Sequence, residues 1–160
     1  MGTAMAGFRI VALDEAPYAA LFDVDDAALR QHGAVRMIAD ADFGYPCRVS
    51  LEDARTGDEL LLLPFTHHAV DSPYRASGPI FVRRGVRQRQ LAAGEVPPLV
   101  TKRLMSLRAY DAAGMMQSAS VVDGPGVADA LTSLFQDARI EYIHLHNAKP
   151  GCYSCCAVRA

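Results

Sequence analysis

The apolar residues of this 160-residue chain occur in short segments, and the longest unbroken aliphatic run is the four leucines at 60–63. A membrane-spanning helix needs roughly 20 apolar residues, so the sequence predicts no membrane span and no membrane partner. Most segments alternate apolar with polar residues, which is typical of strands that bury one face. With 51% hydrophobic and 21% charged residues, the composition fits one globular domain over residues 1–160.

Two helical patterns occur among these strand-like segments. Asp25 can cap a helix over 25–32, and apolar residues recur at helical spacing over 127–138. The segments 47–51 and 60–65 are expected to pair as a hairpin. Further strands are expected at 8–13, 34–39, 79–83, 104–110, 115–122 and 140–146. The predicted fold class is therefore α+β, a mainly antiparallel sheet with two helices packed against it in a single domain.

Acidic and basic residues are unevenly distributed, although the formal net charge is only -2. The segment 14–59 holds eleven acids and four arginines, whereas 83–103 holds six basic residues and one acid. The basic segment has no interleaved aromatic residues and no nucleic-acid-binding motif. We therefore interpret it as a solvated loop that faces the acidic half of the protein, and no nucleic-acid partner is expected.

The chain has four cysteines, which are Cys47, Cys152, Cys155 and Cys156. Residues 1–7 contain no recognisable export or lipidation signal. We therefore expect a cytoplasmic protein whose thiols stay reduced.

Two imidazoles and three thiols lie within thirteen residues near the C-terminus. His144 and His146 share one face of a predicted strand, because side chains two residues apart point the same way. Turn-forming residues over 147–151 are expected to return the chain as a hairpin. If His146 pairs with Cys152, then His144 pairs with Ser154. This register predicts a thiol directly beside an imidazole.

An imidazole next to a thiol can take its proton and stabilise the thiolate. We therefore predict thiol-dependent chemistry on a small molecule, with Cys152 as nucleophile and His146 or His144 as base. Asn147 is expected to orient a histidine or to donate to an oxyanion. The same residues also fit a half-exposed polar face without chemistry, so the sequence does not decide whether the chain is an enzyme.

Zinc binding is an alternative, because His144, His146, Cys152 and Cys155 supply the ligand types of many structural zinc sites. The His-x-His spacing is unusual for such a site, and in the predicted hairpin Cys155 is a core residue. A domain of this size needs no metal to fold. We therefore expect no cofactor and retain zinc as the alternative. A thioredoxin-like role is disfavoured, because only four residues follow Cys156 and no helix fits there.

The segment 66–78 lacks apolar periodicity and is expected to be a long loop that closes over the histidine face. It carries the polar residues His67, His68, Asp71, Tyr74, Arg75 and Ser77. From this set we predict Arg75, His67 and Tyr74 as ligand-binding residues. The alternative function is a non-catalytic module that binds a small anionic ligand or a partner protein through Arg75 and the segment 83–89.

Three segments carry a family resemblance: SPYRASGPIFV at 72–82, LRAYD at 107–111, and HxHNAxxGCYxC at 144–155. On these residues the sequence resembles an uncharacterised bacterial family catalogued only as a domain of unknown function, with a likeness that runs over 8–159. The resemblance implies a bacterial protein of one domain. It implies no activity, substrate, cofactor or catalytic residue.

Overall fold

Two antiparallel sheets form the framework of the protein, in a computed structural model that describes residues 7–160. The strands are β1 (Arg9–Val11), β2 (Val35–Ile38), β3 (Glu59–His68), β4 (Ala76–Arg83), β5 (Leu104–Tyr110), β6 (Met116–Asp123), β7 (Tyr142–Asn147) and β8 (Tyr153–Val158). One sheet has the order β1-β8-β7-β5-β6 and the other has the order β2-β3-β4. The predicted α+β class with a mainly antiparallel arrangement is confirmed.

Short helices connect and cover the sheets. They are α1 (Ala16–Ala19), which a 3-10 turn continues through Asp23, α2 (Asp26–Gln31), α3 (Pro98–Thr101) and α4 (Val127–Leu134). Asp25 caps α2 as predicted, because its carboxylate accepts a hydrogen bond from the Ala28 backbone N–H at 2.8 Å. No helix among residues 7–160 is long and apolar enough to cross a membrane.

Strands β7 and β8 of the five-stranded sheet are buried on both of their faces. On one face Leu131 and Phe135 of α4 belong to the same buried cluster as Ile143, Leu145 and Cys155. On the other face lies a second cluster, which joins Tyr153 to residues of the three-stranded sheet such as Leu61, Leu63 and Ile80. The sheets therefore stack, and the polar residues of β7 and β8 that point away from α4 lie between them.

The predicted hairpin between 47–51 and 60–65 is wrong. Strand β3 pairs with β2 and β4 instead, and residues 47–51 form a tight turn in which the Leu51 N–H donates to the Cys47 carbonyl at 3.0 Å. Leu51 has a φ of 52°, so the chain bends sharply where the alternating pattern suggested an extended strand. Arg48 and Val49 inside this turn are buried, because the turn packs between other elements rather than along a sheet surface.

The predicted long loop at 66–78 is also shorter in the structure. Strand β3 continues through His68 and β4 begins at Ala76, so that only residues 69–75 connect them. These strand ends could not be recognised from apolar alternation, because their inward-facing residues are polar. His68, for example, is buried against other rings rather than exposed on a loop.

Most arginines of the basic segment form ion pairs with acids of the segment 14–59. Arg84 pairs with Asp23 and Glu59, and Arg103 makes two hydrogen bonds to the Asp53 carboxylate, at 3.0 and 2.5 Å. Both Arg103 and Asp53 are largely buried, whereas most of the other pairs lie nearer the surface, where each contributes at most about 1 kcal/mol. The basic segment thus faces the acidic half, as the charge pattern suggested.

Candidate functional site

Strands β7 and β8 form the predicted C-terminal hairpin, but in a different register. His144 lies opposite Cys156 and His146 lies opposite Tyr153, so the predicted pairs of His146 with Cys152 and of His144 with Ser154 are wrong. Cys152 precedes β8, and its carbonyl accepts the hydrogen bond from the Asn147 N–H, at 2.8 Å, that closes the hairpin turn.

The register shifts between Leu145 and His146, where Ser154 is the additional residue in β8. A bulge of this kind reverses the face on which the following side chains lie. Tyr153 and Cys156 therefore belong to the cluster between the two sheets, on the side of the histidines, while Cys155 lies in the α4 core as expected. Tyr153 is a member of this face that the sequence analysis missed.

Four of the five histidines of the chain gather between the sheets. His67 of β3 lies with its ring centroid 4.9 Å from that of His146 and stacks on Tyr153 at 5.5 Å. His68 lies 5.2 Å from His144. The end of β3 thus covers the histidine face, the position we had expected for the loop.

Hydrogen bonds define the protonated nitrogen in two of these rings. His68 Nδ1 donates to the Tyr74 carbonyl at 2.8 Å, so its Nε2 accepts from the Tyr142 hydroxyl at 2.6 Å. His146 Nδ1 donates to the Gly151 carbonyl at 3.0 Å. In contrast, His146 Nε2 and the Nδ1 atoms of His67 and His144 are buried and have no hydrogen-bond partner among residues 7–160.

The two histidines of β7 are neutral at physiological pH. Burial lowers the pKa of His144 to about 3, and the neighbouring histidines and Arg108 add to this shift. Burial likewise lowers the pKa of His146 to about 4, although its hydrogen bond to Gly151 acts in the opposite direction. A neutral ring with a free lone pair can accept a proton, but burial opposes the imidazolium that would result.

A zinc site built from His144, His146, Cys152 and Cys155 finds no support in the geometry. Among residues 7–160, no group of three or more His, Cys, Asp or Glu side chains is arranged to hold a metal ion. Cys155 lies in the core beneath the sheet, whereas the histidines lie on the opposite face. The bulge and the hairpin turn therefore separate the four proposed ligands.

Cys152 receives two side-chain hydrogen bonds, and neither comes from an imidazole. Arg48 Nη2 donates to the Cys152 sulfur at 3.2 Å, and Asn147 Nδ2 donates to it at 3.4 Å. Within the described chain, neither His144 nor His146 forms a hydrogen bond to this sulfur. The structure thus pairs the predicted nucleophile with an arginine and an amide instead of the predicted base, and Asn147 contacts the thiol itself.

Arg48 is the main residue of the site that sequence reasoning missed. Its side chain is only 1% exposed, and it also donates to the Tyr153 carbonyl at 2.7 Å and to the Pro46 carbonyl at 2.6 Å. Burial lowers its pKa, and the nearby thiols, Cys152 first among them, oppose that shift. The only signal in the sequence was a charged residue between the apolar Cys47 and Val49.

The four cysteines are free and differ in their surroundings. Cys152 and Cys156 are half-buried, whereas Cys47 and Cys155 are buried. Cys47 is buried and accepts hydrogen bonds from the backbone N–H groups of Ser50 and Arg83. Burial raises the pKa of Cys155 and that of Cys156 to about 12. Burial of Cys47 and Cys155, and the raised pKa of Cys155 and Cys156, therefore disfavour the reaction of these three thiols with a reagent dissolved in water.

An open pocket of about 420 Å³ adjoins Cys152. Its lining consists of mostly apolar residues and four basic ones: Phe43, Gly44, Pro46, Arg48, Phe81, Lys102, Arg103, Leu104, Asn147, Lys149, Pro150 and Cys152. Every charged residue of the lining is basic. Small-molecule sites typically occupy about 300–1,000 Å³ and combine apolar walls with a few polar groups, and this pocket has both properties.

The predicted ligand-binding residues Arg75, Tyr74 and His67 do not line this pocket. Arg75 is exposed and donates to the Val70 carbonyl at 3.5 Å. Tyr74 is exposed and lies edge-on to Tyr110. His67 belongs to the buried histidine cluster. The structure therefore separates the residues of the predicted site into the cluster between the sheets and the pocket at Cys152.

Comparison with known proteins agrees with the resemblance seen in the sequence. No curated protein matches the chain, and no solved structure matches it. Residues 44–159 match a family described as "Protein of unknown function (DUF1203)", a span that contains Arg48, Asn147 and Cys152 and is shorter than the likeness over 8–159. The chain belongs to the DUF1203 family of proteins of unknown function.

Proposed function

We propose that the protein is an enzyme that uses the Cys152 thiolate as a nucleophile toward a small molecule bound in the adjoining pocket. Arg48 and Asn147 stabilise the thiolate through their hydrogen bonds to the sulfur. In this proposal they take the place of the histidine base that the sequence suggested. The buried histidines hold the hairpin and the two sheets together.

The buried charge of Arg48 is the observation that carries this proposal. A guanidinium removed from water needs a negative partner, since an unpaired buried charge is costly. The hydrogen-bond partners of Arg48 within the described chain are two carbonyl oxygens and the Cys152 sulfur, and none is a carboxylate. Of these three groups only the thiol can ionise, so a Cys152 thiolate completes an ion pair with Arg48.

The proposed step forms one bond at sulfur. The Cys152 proton leaves to water, and the sulfur lone pair then bonds to an electrophilic carbonyl carbon while the C=O π electrons move to oxygen. An arginine has five N–H groups, and Arg48 uses three of them in its contacts with the protein. The remaining two N–H groups are donors that can stabilise the oxyanion.

A non-catalytic binding module is the second candidate, and the all-basic charged lining of the pocket favours it. In that case the pocket holds an anionic ligand and the thiol undergoes no covalent step. The basic residues involved are Lys102, Arg103 and Lys149, rather than Arg75 and the segment 83–89.

Alkylation by iodoacetamide tests the nucleophile directly. We expect Cys152 to react at pH 7 about tenfold faster than glutathione. A free thiol is only a few per cent ionised at this pH. Stabilising the thiolate raises the ionised fraction by a larger factor than it lowers the nucleophilicity of the sulfur. Peptide mass spectrometry after timed quenching gives the rate at each cysteine.

The matched control is the variant Cys156→Ala, which removes a half-buried thiol and should leave the Cys152 rate unchanged. The variant Cys152→Ser should abolish the fast phase. If Cys152 is alkylated no faster than glutathione in the folded protein, it is not an activated nucleophile and the enzymatic proposal fails.

A further inference from the structure

The walls of the pocket at Cys152 are suited to a hydrophobic group. Phe43 and Leu104 belong to its lining and are exposed in part, Phe43 to 51%. Phe43 is held in position because the Arg103 guanidinium lies 4.2 Å from its ring centroid, and Asp53 holds that guanidinium with two hydrogen bonds. An exposed aromatic ring fixed beside a cavity presents apolar surface that a ligand can cover.

The charges around the pocket are not equally free to bind an anion. Asp53 neutralises Arg103, and the buried Arg48 is already hydrogen-bonded to two carbonyl oxygens and to the Cys152 sulfur. Lys102 and Lys149 are exposed, and within residues 7–160 neither forms an ion pair with a carboxylate. These two ammonium groups therefore give the pocket its net positive charge.

From these two observations we infer that the pocket binds a small carboxylate with a hydrophobic body. The body packs against Phe43, Phe81 and Leu104, while the carboxylate lies near the ammonium groups of Lys102 and Lys149. The binding itself needs no reactive thiol. Only the statement that the bound molecule reacts at Cys152 rests on the proposed function. A substrate of the proposed enzyme carries, in addition to this carboxylate, the electrophilic carbonyl that Cys152 attacks, because a carboxylate carbon is not an electrophile toward a thiolate.

Isothermal titration calorimetry with four probes tests this inference on the reduced protein. Phenylacetate carries both features, phenylacetamide lacks the charge, acetate lacks the hydrophobic body, and inorganic phosphate offers a different anion. We expect phenylacetate to bind about tenfold more tightly than each of the others, since two partly exposed ion pairs contribute on the order of a tenfold gain.

Paired charge variants then locate the binding site. Lys102→Gln combined with Lys149→Gln should abolish the preference for phenylacetate over phenylacetamide. Arg30→Gln combined with Arg87→Gln removes the same charge from exposed residues outside the pocket and should leave the preference intact. An equal loss in both double variants would show a nonspecific charge effect and would overturn the assignment to this pocket.

The remaining outcomes separate this inference from the proposed enzymatic function. Equal affinity for phenylacetamide, equal affinity for acetate, tighter binding of phosphate, or no binding of phenylacetate each overturns the substrate class, even if Cys152 is alkylated rapidly. Slow alkylation of Cys152 together with the expected calorimetry overturns the nucleophile and leaves a module that binds hydrophobic carboxylates.

Discussion

Lowering the pH from about 7.5 to about 5 is expected to reduce the free energy of unfolding by about 4 kcal/mol, roughly half of it from each of two buried histidines. Burial lowers the pKa of His144 to about 3 and that of His146 to about 4. In the unfolded chain the pKa of a histidine is about 6.5. The unfolded state therefore takes up protons first, and stability falls as the pH drops from about 6.5 toward the folded values.

The described residues around the two rings include no carboxylate that could compensate a positive charge. The titratable and charged groups that face them come from the strands on either side and from the turn that contains Arg48: Arg48, His67, His68, Arg108, Tyr110, Tyr142, Tyr153 and Cys156. None of these is a carboxylate, and Arg108 further disfavours the imidazolium form. The loss with falling pH is therefore not offset by a new ion pair.

Urea denaturation at a series of pH values, with and without His144→Phe, measures this effect. Phenylalanine is also aromatic but cannot titrate, and His144 Nδ1 has no hydrogen bond to lose within residues 7–160. The variant should therefore lose only about half as much stability as the wild type over the same pH range. His32→Gln alters an exposed histidine and should retain the full pH dependence. A wild-type stability that is flat between these pH values would contradict the prediction.

The regular antiparallel elements of the fold could be predicted from local pattern. β5 and β6 were recognisable because alternating segments flank a short turn, and α2 was recognisable because Asp25 provides a cap. These features depend on interactions between residues close in the chain. The turn at 47–51 was not recognisable, because its alternation reflects burial by distant elements and not the two faces of a strand.

The candidate site differs from its prediction in the backbone of the C-terminal hairpin. The sequence correctly predicted a hairpin near the C-terminus and correctly assigned Cys155 to the core. The turn is one residue shorter than predicted, because Asn147 bonds to Cys152, and this places Tyr153 opposite His146 on the histidine face. The bulge at Ser154, which the residue pattern did not indicate, then returns Cys155 to the core, because strand periodicity is two and one extra residue exchanges the faces. The expected contact between His146 and Cys152 was therefore lost at the turn.

The partner of Cys152 could not be predicted from the sequence at all. Arg48 lies 104 residues away from it along the chain, and the two meet because the turn at 47–51 packs against the C-terminal hairpin. Contacts of this kind depend on how the two sheets stack, and periodicity within one segment carries no information about that. The same applies to Lys102 and Lys149, which reach the pocket from separate loops.

Replacing Arg48 with methionine is expected to lower both stability and thiol reactivity. The variant leaves the carbonyls of Pro46 and Tyr153 without their donor, and two lost hydrogen bonds from a charged group should cost about 3 kcal/mol of unfolding free energy. It also removes the guanidinium from the Cys152 sulfur. We therefore expect the iodoacetamide rate at Cys152 to fall by about tenfold, to that of an ordinary thiol.

Two further variants separate the effect on Cys152 from a general loss of stability. Arg103→Met also removes a basic residue of the pocket and breaks the largely buried pair with Asp53, but Arg103 does not donate to Cys152, so the alkylation rate should be unchanged. Arg48→Lys keeps the positive charge and should preserve part of the rate if the methionine variant does not fold. Alkylation is compared only in samples whose circular dichroism matches the wild type. A fast Cys152 in folded Arg48→Met would mean that the ion pair between Arg48 and the thiolate is not the source of reactivity.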